Sequence, residues 1–356
     1  MDRRYARGRA ATMRFPWNVY VTAVLSAAAV AALSLPLWRK WCLRTGLLDD
    51  PGHRKIHEQP VPLAGGLAVA TGLLLPTIIG SLALWLLGPS DLLESHARNE
   101  GVAPAPLDQR AEFLLRYGLN RRALELAGIL IGAVGMLSLG WLDDKKELSP
   151  RPKFIGQLLI ALMVAATGAR ITLFVPNVLF HYAITILWIL TVINAFNFMD
   201  NMNGLCAGLG AIGAWYFATI AAAQGQYLVA LIAFLTFGAL LGFLPYNFPN
   251  ARAFLGDAGS HLIGYLLAVL AILPHFYSAH HPRRRAVLIP LLVLAVPLFD
   301  LVWVVLLRWR RGQPFYVGDT NHLSHRLVRS GLSRSGAVIL IWILAALIGA
   351  ASYLWL

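Results

Sequence analysis

The 356-residue chain has 17 Asp and Glu and ten His, and the positions of these few residues give the first indication of chemistry. Asp143 and Asp144 are adjacent and open a basic stretch, DDKKELSPRPK, that ends at Lys153. Asp200 lies in NAFNFMDNMNG and Asp257 in FLGDAGSHLIG. Hard carboxylate oxygens suit Mg²⁺, an ion that keeps several waters and takes one or two carboxylates together with substrate phosphates. The same acids would also serve as helix caps. Around Asp257, Gly256 and Gly259 let the backbone come close to a ligand, and a helix starting there would turn its N–H groups toward a phosphate. Asn194, Asn197 and Asp200 recur every third residue, so on a helix two amides and a carboxylate share a face. Amides in lipid are costly unless paired, and these suit either a uracil or ribose edge or a neighbouring helix.

The basic residues form a second set. Arg54, Lys55 and His57 are crowded into DDPGHRKIHEQPVPLAGG beside prolines and a Gly65-Gly66 pair, which fits phosphate binding and equally fits positive anchoring of a membrane loop. If the last polar loop is helical, Asp319, His322 and Arg326 share one face with His325 alongside. Histidines there would bind diphosphate or metal, or simply belong to a solvated helix with an internal ion pair. Cys42 and Cys206 fall in or beside apolar blocks, so neither a disulfide framework nor a zinc site is implied.

The elements that must position these groups are apolar. Hydrophobic residues make up 58% of the chain and charged residues 13%, against roughly 25% charged in a soluble domain, which excludes an ordinary soluble globule. Apolar blocks lie at 18–37, 64–87, 123–141, 155–173, 179–197, 204–223, 227–245, 259–275, 286–307 and 336–356. Each is near the length that crosses a bilayer as a helix. Runs such as LLIALMVAATGA lack the alternation of a membrane β-barrel. The expected fold is an all-α, polytopic membrane bundle of about ten transmembrane helices, eleven being the other allowed count. Residues 1–17 form a tail and 18–356 a single transmembrane domain.

Ten crossings put the loops 38–63, 142–154, 198–203, 246–258 and 308–335 on one face, with 88–122 on the other. Five loops distant in sequence thus bring one kind of chemistry to one membrane surface, as an active site requires. Lys and Arg favour that face as cytoplasmic, more clearly if the natural start is Met13. The formal charge of +13 would suggest nucleic acid in a soluble protein; here anionic headgroups and phosphorylated substrates come first, and no nucleic-acid partner is expected. A secondary transporter would also carry intramembrane polar residues, but at the midplane.

Five segments, in order, carry a resemblance: DDPGHRKIHEQPVPLAGG, LDDKKELSPRPKFIGQ, NAFNFMDNMNGL, NFPNARAFLGDAGS and PLFDLVWVVLLRWRRGQPFYVGDTNHLSHRL. Together they resemble the polyprenyl-phosphate N-acetylhexosamine-1-phosphate transferases, a family that includes the phospho-MurNAc-pentapeptide translocase. The resemblance implies a multi-pass plasma-membrane enzyme with a cytoplasmic site. It would transfer a sugar-1-phosphate from a UDP-N-acetylhexosamine to undecaprenyl phosphate, releasing UMP, with Mg²⁺ or Mn²⁺ as cofactor and a homodimer as one assembly. By motif position Asp257 and Asp144 would hold the metal, Asp143 and Asp144 would be the catalytic pair, and His322 and His325 would be the histidine motif. The substrate contacts would be Arg54, Lys55, His57, Lys153, Asn194, Asn197, Asp200, Asn203, Asn247, Phe254 and Arg326. Two departures stand out. Asn201 and Asn203 replace the first glycine and second aspartate of an Asp-Gly-x-Asp-Gly motif, and Leu323 and Ser324 separate the two histidines. The second departure sets the chain nearer to the GlcNAc-1-phosphate branch than to the translocase, whose substrate is the alternative.

Overall fold

The computed structural model describes residues 15–49, 60–87, 118–120, 122–173, 175–274, 284–314, 316 and 319–356. Its long helices, in chain order, are α1 (Trp17–Thr45), α2 (Gly65–Leu87), α3 (Ala123–Lys146), α4 (Pro150–Ala166), α5 (Val178–Met199), α6 (Leu205–Ala223), α7 (Tyr227–Asn247) and α8 (Gly256–Leu270). The short α9 (Ile289–Val293) leads into α10 (Ala295–Arg310), followed by α11 (Leu323–Arg329) and α12 (Arg334–Ala351). Two short strands, β1 (Leu48–Asp49) and β2 (Val61–Pro62), pair antiparallel between α1 and α2, with Leu48 opposite Pro62.

The chain is a multi-pass helical membrane protein. Among the described residues seven helices are long and apolar enough to span a bilayer, and α9 with α10 makes an eighth if a 73° bend is allowed within one span. Every apolar block of the sequence contains a helix, and the blocks outside this count miss it for identifiable reasons. Pro297 has no N–H to give the carbonyl one turn earlier, and the helix breaks at Leu294 (φ −103°, ψ 18°). The blocks at 155–173 and 259–275 hold α4 and α8, of 17 and 15 residues. At 1.5 Å per residue α8 is about 22 Å long, short of a roughly 30 Å hydrocarbon core. Helices also run beyond the apolar blocks into the polar motifs. α3 continues to Lys146 and α4 begins at Pro150, so only three residues of the expected 142–154 loop are non-helical.

The outer surface is apolar, unlike that of a soluble protein. Leu33, Leu179 and Leu347 are more than 60% exposed and would face lipid, while the interior mixes large apolar side chains such as Phe196, Phe217 and Phe243 with many alanines and a few polar residues. α8 is the axis of the bundle. All of its residues except Gly256 and Asp257 are buried, and it packs against α2, α3, α5 and α6. The Tyr265 hydroxyl donates to Ile129 O of α3 (2.9 Å) and Trp188 Nε1 of α5 donates to Ala268 O (3.1 Å). Two glycines allow backbone contact at the N-terminal end of α8. A Cβ on Gly66 of α2 would lie 2.5 Å from Gly259 N, and one on Gly140 of α3 would lie 2.5 Å from Ala258 N. Gly65 and Gly66 also donate their N–H groups to Phe254 O and Leu255 O. The first turn of α8, which bears Asp257, is thereby wedged between α2 and α3.

Candidate active site

One open cleft of about 1940 Å³ lies at the end of the bundle where α3, α5, α7 and α10 finish and α4, α6, α8 and α12 begin. It draws lining residues from all five polar motifs, including Asp49, Asp143, Asp144, Lys153, Asn194, Asn197, Asp200, Asn247, Phe254, Asp257 and His325. Arg54, Lys55 and His57 lie outside the described residues.

The acidic wall is built by the α3–α4 turn against α8. Lys153 Nζ is 2.6 Å from Asp143 Oδ2 and 3.0 Å from Asp257 Oδ2, so one ammonium joins two carboxylates from different helices. Asp143 Oδ1 accepts from Leu148 N (2.8 Å), and Asp257 Oδ1 accepts from Asn197 Nδ2 (2.6 Å). Asp144 has a different role. Its two oxygens accept from Asp257 N (2.7 Å) and Ala258 N (3.0 Å), so it caps α8 from 113 residues away and satisfies amides that a helix start leaves open. Asp200, at the C-terminal end of α5, faces the same group. Loss of water contact first, then the charges of Asp257, Asp144 and Asp49, push its carboxyl well above the usual carboxylate range.

Below this wall the polar face of α5 descends into the bundle. Asn194 Nδ2 donates to Gln157 Oε1 (2.9 Å), whose Nε2 is 3.2 Å from His261 Nε2, and Asn197 Nδ2 also reaches Ser260 Oγ (3.0 Å). The three-residue recurrence of Asn194, Asn197 and Asp200 therefore serves helix pairing at depth and the cleft at its end. Asn247 is buried with both amide ends on backbone, accepting from Gly204 N (2.7 Å) and donating to Ala253 O (3.0 Å). Asn203 donates to Pro249 O (3.0 Å). Phe254 sits beside Asp257, its N–H donating to Pro62 O (2.9 Å).

The opposite wall carries the histidines. α11 begins only at Leu323, so Asp319 lies ahead of the helix and does not share its face with His322 and Arg326. Instead Asp319 Oδ2 accepts from the buried Arg308 Nε (2.9 Å) and its Oδ1 from Asn321 N (2.8 Å). Burial alone would raise the Asp319 carboxyl; these bonds outweigh it and hold the group low. His322, the N-cap residue of α11, places Nδ1 2.6 Å from Asp300 Oδ2, while Asp300 Oδ1 accepts from Leu323 N (2.6 Å). His325 faces the cleft, and burial, followed by the nearby His322 and Arg329, pushes its imidazole down and favours the neutral form. Arg326 is exposed and stacks on Trp303, 4.9 Å from the ring centre.

Sequence reasoning missed Arg308, Gln157, Ser260 and His261 as site-building residues and gave Asp300 no role of its own. Asp300 did leave a signal, being the one charged residue in the 286–307 block, where an ionisable group is expensive without a purpose.

The glycosyl transferase family 4 model matches residues 126–275, the stretch holding the acidic wall and the asparagine ladder. A probable undecaprenyl-phosphate N-acetylglucosaminyl 1-phosphate transferase of Bacillus subtilis is 30% identical over 92% of this chain and 82% of its own length. The chain belongs to glycosyl transferase family 4. Two further relatives extend the similarity. A decaprenyl-phosphate N-acetylglucosaminephosphotransferase of Mycolicibacterium smegmatis is 31% identical over 92% of this chain and 80% of its own. An undecaprenyl-phosphate alpha-N-acetylglucosaminyl 1-phosphate transferase of Yersinia pestis is 27% identical over 87% and 77%. The family 4 match ends before the histidine wall, whereas the relatives extend over most of the chain.

Proposed function

We propose that this chain transfers N-acetylglucosamine-1-phosphate from UDP-N-acetylglucosamine to undecaprenyl phosphate or a similar polyprenyl phosphate. The products are UMP and a polyprenyl-diphospho-sugar, the start of an envelope polysaccharide, made at the cytoplasmic face of the plasma membrane. The observation that carries this reading is one cleft whose lining joins acids of α3, α8 and the end of α5 to His325, Arg311 and Arg334 around α10 to α12, at the end of a lipid-exposed bundle. A nucleotide-sugar enters such a cleft from water, and a polyprenyl chain can stay in the bilayer while only its phosphate reaches the site. The names of the relatives point to the same pair of substrates.

The reaction brings several negative charges together. An oxygen of the lipid phosphate attacks the sugar-bearing phosphorus, and the bond to the UMP oxygen breaks with its electron pair leaving on UMP. A phosphate monoester has a second pKa of about 6, so the acceptor is largely ionised at pH 7 without a protein base. Asp143 is therefore better placed as a charged partner of Lys153 than as a proton acceptor, and Asp144 as the group that fixes the first turn of α8. Lys153, Arg311 and Arg334 line the cleft and offset the phosphate charge, while the neutral His325 beside them can hydrogen-bond a phosphate or sugar oxygen. Asn197 orients Asp257, and Phe254 offers a ring beside it.

The donor set fits Mg²⁺, with Mn²⁺ able to use the same oxygens. Asp143 and Asp257 already converge on one cation, Lys153 Nζ. Among the described residues no three His, Cys, Asp or Glu side chains form a ready cage, as suits an ion that keeps waters and takes substrate phosphates. Asp257, with Asp143 and Asp200, would hold it; the oxygens of Asp144 each already accept a backbone N–H. When bound, the ion supplies charge neutralisation on the diphosphate.

The test is UMP release by purified protein with undecaprenyl phosphate and a panel of UDP-sugars, with and without Mg²⁺. Release with UDP-N-acetylglucosamine only when acceptor and Mg²⁺ are present is the expected result. Turnover of UDP-MurNAc-pentapeptide alone would move the chain to the translocase reaction. UMP release without acceptor, with a phosphorylated enzyme trapped, would replace direct attack by a covalent intermediate. Solute uptake by proteoliposomes without any UMP would sink the transferase reading.

A further inference from the structure

One residue from each of the two departures from the family motifs, Asn201 and Ser324, meets the other in space. The Ser324 hydroxyl donates to Asn201 Oδ1 at 2.6 Å across 123 residues of chain. Asn201 lies in the turn between α5 and α6, next to Asp200. Ser324 lies in the first turn of α11, between His322 and His325, and is fully buried. The other end of the Asn201 amide is also engaged, its Nδ2 donating to Phe198 O (2.6 Å). The ring of Phe198 in turn lies edge-on to His322, with centroids 5.6 Å apart, and under the Arg308 guanidinium at 4.9 Å. Thus Asn201 is the junction between the asparagine wall of the cleft and the histidine wall.

Helix α11 needs such a junction. At seven residues it is too short to be stable alone in water, so its position depends on what holds it from outside. Asp300 fastens its N-terminus to α10. Among the described residues, the bond from Ser324 is the side-chain hydrogen bond that fastens it to the α5–α6 turn. A glycine at 201 would have no acceptor for this hydroxyl, and a buried hydroxyl without a partner is destabilising.

We propose that Asn201 and Ser324 are a matched pair of positioning residues, a latch that holds the histidine-bearing helix in register with the Asp200 turn so that both walls engage one donor molecule. The proposal rests on the transferase reading for its effect on turnover, but not for the latch itself. Asn201, although it lines the cleft, and the buried Ser324 then act through Asp200, His322 and His325 and not on a reacting atom. Breaking the latch leaves each wall able to bind its own end of the donor while the two lose alignment, so kcat falls more than the donor KM rises.

The experiment is a double-mutant cycle on Asn201→Gly and Ser324→Ala in the full chain in detergent, with kcat and donor KM normalised to folded protein. Each single substitution should lower kcat about tenfold and change KM less than about threefold, since an orphaned buried partner is worth about one decade. The double variant should be no worse than the poorer single, because with both partners gone nothing is left unpaired. Multiplying effects in the double variant, singles with unchanged kcat, or a change confined to KM would each overturn the proposal. A second readout needs no activity. Spin labels at Asn250 and Ser330, both exposed, report the distance between the 249–253 turn, to which Asn203 is bonded, and α11. The wild-type distribution should be narrow and should broaden in either single variant; an unchanged distribution removes the latch. If wild type releases no UMP, the transferase reading fails while the label distances still decide the latch.

Discussion

Replacing Lys153 by Met tests the electrostatics of the acidic wall directly. The substitution keeps most of the aliphatic stem and removes the one ammonium that lies within 3.0 Å of both Asp143 and Asp257. At an effective dielectric constant near 20, a charge pair at that distance attracts by about 5–6 kcal/mol before desolvation is subtracted. Removing one partner of a buried pair costs about 3–5 kcal/mol net. The Lys153, Asp143 and Asp257 side chains are 20%, 7% and 34% exposed, so water screens part of this and about 2–3 kcal/mol is the reasoned loss. The assay is thermal unfolding in detergent followed by intrinsic fluorescence of the 11 tryptophans, with chelator or with millimolar Mg²⁺. In chelator the variant should unfold several degrees below wild type. Mg²⁺ should recover most of that difference, because a divalent ion can take the place between the carboxylates, while UMP release stays low for want of the Lys153 charge at the phosphates. A variant as stable as wild type in chelator, or a loss that Mg²⁺ leaves untouched, would refute the picture of two ionised carboxylates sharing one cation site.

Other outcomes follow from the same geometry. Asp257→Asn should abolish Mg²⁺-dependent UMP release while the protein elutes from size exclusion as wild type does, since Asn keeps the shape but not the charge. Asp300→Ala removes two 2.6 Å bonds to the start of α11, each charge-assisted bond being worth about 1.5–3 kcal/mol; trypsin should then cut after Arg326 or Arg329 well before the bundle unfolds, as read by intact mass. Gly140→Ala places a methyl against the backbone of Ala258 and should cost about 1–3 kcal/mol of overpacking, seen as a lower unfolding temperature and weaker Mg²⁺ activation. Asp319 is held below the usual carboxylate range, so its stabilising bond to Arg308 should persist at neutral pH and fail as pH falls through that lowered pKa; hydrogen exchange of residues 319–329 against pH would show protection lost only in strong acid, and loss near neutrality would refute the assignment.

The helical class was legible because apolar blocks of membrane length leave few alternatives. The acids of the cleft were legible because Asp143, Asp200 and Asp257 are costly at the ends of such blocks unless they do something. Less legible was how each is used. Asp144 has the same residue type and neighbourhood as Asp143, and only the packing of α3 on α8 sends its oxygens to two backbone amides. Asn247 and Asn203 carry donors and acceptors that suit a ligand, yet the amide of Asn247 is spent on backbone at both ends and that of Asn203 donates to Pro249 O, a demand set by irregular turns with no periodic signature. The helical reading of Asp319, His322 and Arg326 had the right residues in one region and the wrong helix start, because Asp300, on another helix, decides where α11 begins. Nor do the length and hydropathy of its block reveal that α8 is short and packed against α2, α3, α5 and α6.

The wedge of α8 between Gly66 and Gly140 bears on how fast the enzyme can turn over. Backbone held against backbone on both sides leaves the Asp257 turn almost no amplitude of motion, so that wall of the cleft behaves as a fixed jaw. The facing wall is held by the packing of Leu323, Leu327 and Val328 on the core and by a few side-chain hydrogen bonds to α10 and to the α5–α6 turn, and these bonds can break and re-form without unseating the long helices. Any widening needed to let UMP out is therefore carried by the histidine side alone. Where release limits the cycle, its rate should follow solvent viscosity and the strength of those few bonds, and be indifferent to how tightly the membrane-embedded helices are packed.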